Sequence, residues 1–156
     1  MSRRALVAGI GNVFLGDDGF GVEVAARLSS APLPAGVRVF DAGIRARDLA
    51  YELVDGRYET AILVDAVARG GAPGTVYVIE PEPGSADHST PLASVDGHCM
   101  TPESTLALVR ALGGIPTRIL IVGCEPANVQ EGVGLSQPVA AAVDEAIGVV
   151  RELLCA

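Results

Sequence analysis

Residues 5–19 read Ala5-Leu6-Val7-Ala8-Gly9-Ile10-Gly11-Asn12-Val13-Phe14-Leu15-Gly16-Asp17-Asp18-Gly19. Ala5–Ile10 is a near-continuous apolar run ending in Gly11-Asn12, the pattern of a strand buried on both faces. Over Gly21–Leu28, Val22, Ala25, Ala26 and Leu28 then fall on a helical spacing. The same alternation continues along the chain. Val37–Phe40 is a second strand, entered through Pro34-Ala35-Gly36 and closed by Asp41, and Asp48–Leu53 is a short helix. Thr60–Val64 is a third strand, closed by Asp65, and Gly74–Ile79 is a fourth. Glu80–Met100 carries Pro81, Pro83, Gly84, Pro91 and Gly97 and reads as a long irregular segment; loops of this length in compact domains are usually functional or mobile. Thr101-Pro102-Glu103 opens a helix with a capping threonine, a first-turn proline and an acid, and Gly113-Gly114 ends it. Arg118–Gly123 is another buried strand. Ser136 caps a last helix whose apolar stripe is Val139, Val143, Ala146, Val150 and Leu154, with Asp144, Glu145, Arg151 and Glu152 off it. Strands alternating with helices give an α/β sandwich with a mostly parallel sheet.

At 156 residues the chain has the size of a single domain, residues 1–156, and buries roughly 70% of its extended surface on folding. With 49% hydrophobic and 19% charged residues it is not a disordered chain, and no apolar run approaches the ~18 residues of a membrane-spanning helix. Eleven basic against nineteen acidic residues leave a formal net charge of −8, which opposes a phosphate backbone and suits a basic partner or a cation. The two histidines, His88 and His98, are too few for a closed polyhistidine site. Cys99, Cys124 and Cys155 form no Cys-x-x-Cys pair and, being odd in number, no disulfide framework, so a reducing cytosol is the expected home. Cys124 and Cys155 read as packing residues. Ser2-Arg3-Arg4 has a twin-arginine look, but the apolar stretch after it breaks at Asn12, Asp17 and Asp18 without a small-residue cleavage site, so the segment reads as the first strand.

In open parallel sheets ligands sit beyond the carboxyl ends of the strands, so the residues closing each strand carry the functional expectation. A dinucleotide fingerprint Gly-x-Gly-x-x-Gly starting at Gly9 fails at its last position, Phe14, and two carboxylates stand where a pyrophosphate would dock. Asp17 and Asp18 suit helix capping with a favourable dipole contribution of ~0.3–1 kcal/mol. One acid suffices for that, which leaves the other for a different task. Asp65 directly follows Ile62-Leu63-Val64 and, on a parallel sheet, points to the same edge as Asp18 and Asp41. Three carboxylates gathered there raise one another's proton affinity or demand a cation. His98, in Asp96-Gly97-His98-Cys99-Met100-Thr101-Pro102, stands just before a helix start that faces the same edge; two carboxylates with an imidazole suit nickel, zinc or manganese. His88, within Ser-Ala-Asp-His-Ser-Thr, reads as exposed loop. There is no Gly-x-Ser-x-Gly elbow and no His-Glu-x-x-His helix.

Gly9-Ile10-Gly11-Asn12, then Asp17-Asp18-Gly19-Phe20-Gly21, then Leu63-Val64-Asp65-Ala66, then Gly97-His98-Cys99-Met100-Thr101-Pro102 resemble, in order and approximate spacing over nearly the whole chain, the nickel–iron hydrogenase maturation proteases. The resemblance implies a three-layer α/β/α sandwich with a five-stranded, mostly parallel twisted sheet. It implies an endopeptidase that removes the C-terminal extension of a hydrogenase large-subunit precursor after nickel insertion. The family's metal-contacting triad falls on Asp18, Asp65 and His98, and a further implicated acid falls on Asp41. The chain departs from the family in two places: many members carry glutamate where Asp18 stands, and their Asp-Gly-Gly-Thr stretch is here Asp41-Ala42-Gly43-Ile44-Arg45-Ala46-Arg47. Arg45 and Arg47 either contact the substrate tail or belong to a solvated loop.

On this basis nickel is carried by the substrate rather than held permanently, and no organic cofactor is expected. The partner is the large-subunit precursor, with no nucleic acid and no membrane, and the protein is a cytoplasmic monomer. Water attacks the scissile carbonyl, activated either by the metal or by a carboxylate such as Asp41. The competing expectations are a non-catalytic nucleotide- or metal-binding α/β module, or a metal carrier of the same fold.

Overall fold

The computed structural model describes residues 4–81, 107, 116 and 118–155. Its elements are β1 (Ala5–Ile10), a 3₁₀ turn (Gly16–Gly19), α1 (Phe20–Ser29), β2 (Val37–Gly43), α2 (Ala46–Gly56), β3 (Thr60–Ala66), β4 (Val76–Ile79), β5 (Arg118–Cys124) and α3 (Gln137–Cys155). The strands form one five-stranded sheet in the order β2-β1-β3-β5-β4. All pairings are parallel except that of β4 with β5.

Alternation along the central strands sends side chains to two cores. Val7, Ile62, Val64, Leu120 and Val122 pack against Phe20, Val24 and Leu28 of α1 and Val139, Val143, Ala146 and Val150 of α3. On the opposite face Leu6, Ala8, Ile10, Leu63 and Ile121 pack against Leu49, Ala50 and Leu53 of α2. These are the three layers of an α/β/α sandwich. The stripe expected of the last helix is the buried one, with Leu154 partly covered at its end. Full burial of Phe20, Val24 and Leu28 contributes about 1.5–3 kcal/mol each and fixes α1 on the sheet.

Strand ends differ from the sequence expectation. Asp41 and Asp65 do not close their strands but lie inside them, paired with Gly9 and Gly123. The neighbouring strands supply ladder partners, and these override the turn preference of aspartate. β2 also slips register after Asp41, so that Ile10 pairs with Gly43 and Ala42 is the extra residue; such a bulge re-aims the side chains beside it. The fourth strand begins at Val76 rather than Gly74, because Gly74 sits at φ 90° and donates its N–H to the Glu125 carbonyl. α2 runs a turn beyond the expected Asp48–Leu53. The segment from residue 82 to Met100, with His88, His98 and Cys99, lies outside the described residues, as does the expected helix from Thr101 to Gly113 apart from Ala107.

Candidate active site

The site is built around Gly11, the first residue after β1. Its backbone φ of 139° is open to glycine, and a β-carbon there would stand 1.8 Å from the Asp18 carbonyl oxygen and 3.6 Å from Asp65 Oδ1. The backbone of the acid-bearing 3₁₀ turn and the carboxylate of β3 therefore both close on one α-carbon. The next residue, Asn12, donates its N–H to Asp18 Oδ2 at 2.8 Å, which brings the Asp18 carboxylate to the same spot. Asp65 is buried, and its Oδ1 accepts the Ala66 N–H at 2.8 Å. On the other side of β1, Gly11 donates its N–H to the Gly43 carbonyl. A β-carbon on Gly43 would stand 3.8 Å from both Asp41 Oδ1 and the Gly11 carbonyl oxygen. Asp41, itself exposed, thus faces the same sheet edge. The structure brings Asp18, Asp65 and Asp41 to one edge, as expected. Among the described residues, however, no three acids, histidines or cysteines close on a single ion position. The expected convergence of three carboxylates is a shared edge, not a carboxylate cage. His98 lies outside the described residues.

The pair Asp17-Asp18 divides its labour differently from the capping expectation. Neither side chain caps the 3₁₀ turn or α1. Asp17 is fully buried and reaches across to the β5–α3 connection. Its Oδ2 accepts the N–H groups of Ala127 and Asn128 at 2.8 and 3.0 Å and the Ser136 hydroxyl at 2.8 Å. Its Oδ1 accepts the Ser136 N–H at 2.7 Å. Burial alone would raise the Asp17 pKa, but the bonds from Ser136, Ala127 and Asn128 together outweigh it and hold the carboxyl below the ordinary aspartate range. The hydroxyl of Ser136, expected to cap the last helix, is directed at Asp17, while its carbonyl accepts the Ala140 N–H.

Glu125, the acid that follows β5, was missed by the sequence reading. With the last strand read as Arg118–Gly123, its closing residue is Cys124, one position short of Glu125, which follows the strand's actual end. Glu125 is buried, and a single oxygen, Oε1, accepts the N–H groups of Arg69 and Gly71 and the Tyr77 hydroxyl, each at 2.8 Å. It thereby pins the loop after Asp65 to β4. The Arg69 N–H bond leads the effects that lower its pKa, against the opposing pull of burial. The hydrogen bond of the Tyr77 hydroxyl to Glu125 in turn raises the phenol.

Both acids have depressed folded-state pKa values. Their stabilisation is therefore fully present above the ordinary carboxylate range and is lost as pH falls through the lower folded-state values. Glu125→Gln can present its amide oxygen to the same three donors without the charge. It should fold and lose less thermal stability than wild type between pH 5 and pH 3. Parallel melting curves over that range would contradict the assignment.

Burial, with Asp17, Glu145 and Glu125 nearby, pushes the Cys124 thiol up to about 11, so it is a packing residue and no nucleophile. Cys155, expected to pack, is exposed. Arg45 folds back on its own loop: it donates to the Asp41 carbonyl, lies 3.5 Å from Asp48 and stands over the Phe40 ring. Arg47 is exposed. The nucleotide expectation finds no support. The loop amides that would cradle a phosphate are taken, Asn12 N–H by Asp18 and Phe14 N–H by Asn12 Oδ1.

An α/β/α sheet with carboxylates gathered at its carboxyl edge, and the loop amides of Asn12 and Phe14 already taken, defines a class that known proteins make specific. A family model for hydrogenase maturation proteases matches residues 22–152. The hydrogenase expression/formation protein HupD of Rhodobacter capsulatus is 35% identical over 154 residues, covering 97% of this chain and 71% of that protein. The hydrogenase 2 maturation protease of Escherichia coli is 27% identical over 146 residues, covering 92% and 86%. The solved structure of the hydrogenase maturating endopeptidase HybD from E. coli superposes with a TM-score of 0.76 at 26% identity, covering 97% of this chain and 91% of that one. The chain belongs to the hydrogenase maturation protease family. It is an endopeptidase, a hydrolase acting on peptide bonds.

Proposed function

We propose that the protein removes the C-terminal extension of a nickel–iron hydrogenase large-subunit precursor once nickel has been inserted. The observation that carries this reading is the meeting of Asp18 and Asp65 at Gly11. Two carboxylates completed by the His98 imidazole form a donor set suited to nickel, and they leave coordination positions open for a metal that belongs to another protein. Nickel is part of the substrate here, and the protein needs neither a resident metal nor an organic cofactor. Contact of Asp18, Asp65 and His98 with the client's nickel sets the scissile peptide against the strand edge. Nickel polarises the carbonyl there, and Asp41, exposed on the adjacent strand, takes the proton of the attacking water. Among the described residues no helix is long and apolar enough to cross a membrane; the proposed setting is the cytoplasm, with the protein acting as a monomer on its client.

The test is incubation of the purified protein with nickel-loaded and nickel-free precursor, read by intact-mass spectrometry. A single C-terminal cut in the loaded precursor alone is expected. Equal cleavage of both forms, or of neither, would overturn the proposal.

A further inference from the structure

We propose that Asp17 is a positioning residue for Asp18, so that the loop joining β5 to α3 sets where the metal-contacting carboxylate stands. This rests on the role given to Asp18 above. The two acids share the short turn Gly16–Gly19, and the turn is anchored from several directions. Asp17 takes four hydrogen bonds from Ala127, Asn128 and Ser136, more than 100 positions away in the chain. The backbones are laced as well: Asp17 N–H donates to the Asn128 carbonyl, Gly16 N–H to the Gly132 carbonyl, and Gly132 N–H to the Phe14 carbonyl, each at 2.9 Å. The fit is close, since a β-carbon on Gly16 would stand 2.7 Å from the Asn128 carbonyl oxygen.

Asp18 has little freedom within that frame. Its N–H donates to the Leu15 carbonyl, its own carbonyl abuts Gly11, and its Oδ2 takes the Asn12 N–H. A shift of the turn therefore moves the Asp18 carboxylate relative to Gly11, and hence relative to Asp65. Helix initiation does not account for Asp17, which caps neither the turn nor α1. Both of its oxygens accept, so an asparagine of the same shape would turn its NH₂ group on a donor. This is the opposite of Glu125, where one oxygen does all the accepting.

The experiment compares wild type with Asp17→Asn, Ser136→Ala and Ser136→Thr. Amide hydrogen exchange is read at Asn12, which reports the Asp18 carboxylate, and at Ala127 and Asn128, which report the loop. Steady-state cleavage of nickel-loaded precursor is measured in parallel. In Asp17→Asn the Asn12 amide should lose protection together with the loop amides, and kcat should fall about 10²-fold with KM unchanged, as displacement of a reacting group by about 1 Å entails. Ser136→Ala, which removes one of the four bonds, should show the same pattern at smaller amplitude, and Ser136→Thr, which keeps a hydroxyl, should restore both readouts. Loss of protection confined to Ala127 and Asn128, with Asn12 and kcat as in wild type, would overturn the positioning role. If Asp17→Asn does not fold, the alanine and threonine variants at Ser136 decide the matter by themselves. If wild type cleaves no precursor, that result counts against the proposed function, and Asn12 exchange still tests the coupling of Asp17 to Asp18.

Discussion

Asp18→Asn and Asp65→Asn should each lower cleavage of nickel-loaded precursor by about 10³-fold, the middle of the range for loss of a group that acts on the reacting atoms. The melting temperature should stay within about 5 °C of wild type. The contrast between activity and stability follows from what asparagine keeps. At position 18 an amide oxygen can still accept the Asn12 N–H, and at position 65 it can still accept the Ala66 N–H. Shape, volume and those bonds survive. The negative charge and the second basic oxygen, which a metal contact needs, do not. Single-turnover cleavage followed beside thermal unfolding separates the two effects. Full activity in both variants would remove these residues from the site.

The second large effect is structural. Gly21→Ala should cost about 3 kcal/mol or more of stability, at the top of the usual range for overpacking. A β-carbon there would lie 2.0 Å from the Val64 carbonyl oxygen and 2.4 Å from that of Ile10. Both belong to strand backbones held in the sheet and cannot yield, so α1 would have to lift and uncover Phe20, Val24 and Leu28. Gly9 mirrors the contact from the sheet side, its β-carbon position being 2.2 Å from the Gly21 carbonyl oxygen. Gly148 in α3 is the control, since no atom of the described residues lies within 4 Å of the β-carbon it would gain. Gly148→Ala should stabilise by roughly 0.5–1 kcal/mol through helix propensity. Urea unfolding midpoints should therefore move in opposite directions for the two variants, and a Gly21→Ala midpoint equal to wild type would contradict the close docking of α1.

These contacts also explain what could be read from the chain. The doubly buried run Ala5–Ile10 and the stripe Val139, Val143, Ala146, Val150 carry their period locally, so sheet and helix were legible. The candidate acids were legible by type and place, at or near strand ends on an edge where α/β proteins bind ligands, while His98 lies outside the described residues. The strand ends themselves were not, because Asp41 and Asp65 stay in the ladder only through Gly9 and Gly123 on neighbouring strands. Apart from the family resemblance, which picks Asp18, no local pattern tells Asp17 from Asp18. The two are chemically identical and adjacent, and the one that is buried is chosen by Ala127, Asn128 and Ser136, residues that no local pattern connects to them. Gly9 and Gly11 begin a dinucleotide fingerprint that Phe14 breaks, and the structure shows what they do instead: close packing of α1 and the approach of two carboxylates.

The most direct test of the central claim, that Asp18, Asp65 and His98 gather at one place able to grip a client's nickel, is a calorimetric titration of the protein with nickel or cadmium ions. Wild type is expected to bind one ion, and Asp18→Asn, Asp65→Asn and His98→Ala are each expected to abolish that binding while leaving the fold intact. Binding of unchanged stoichiometry and affinity in the three variants would contradict it.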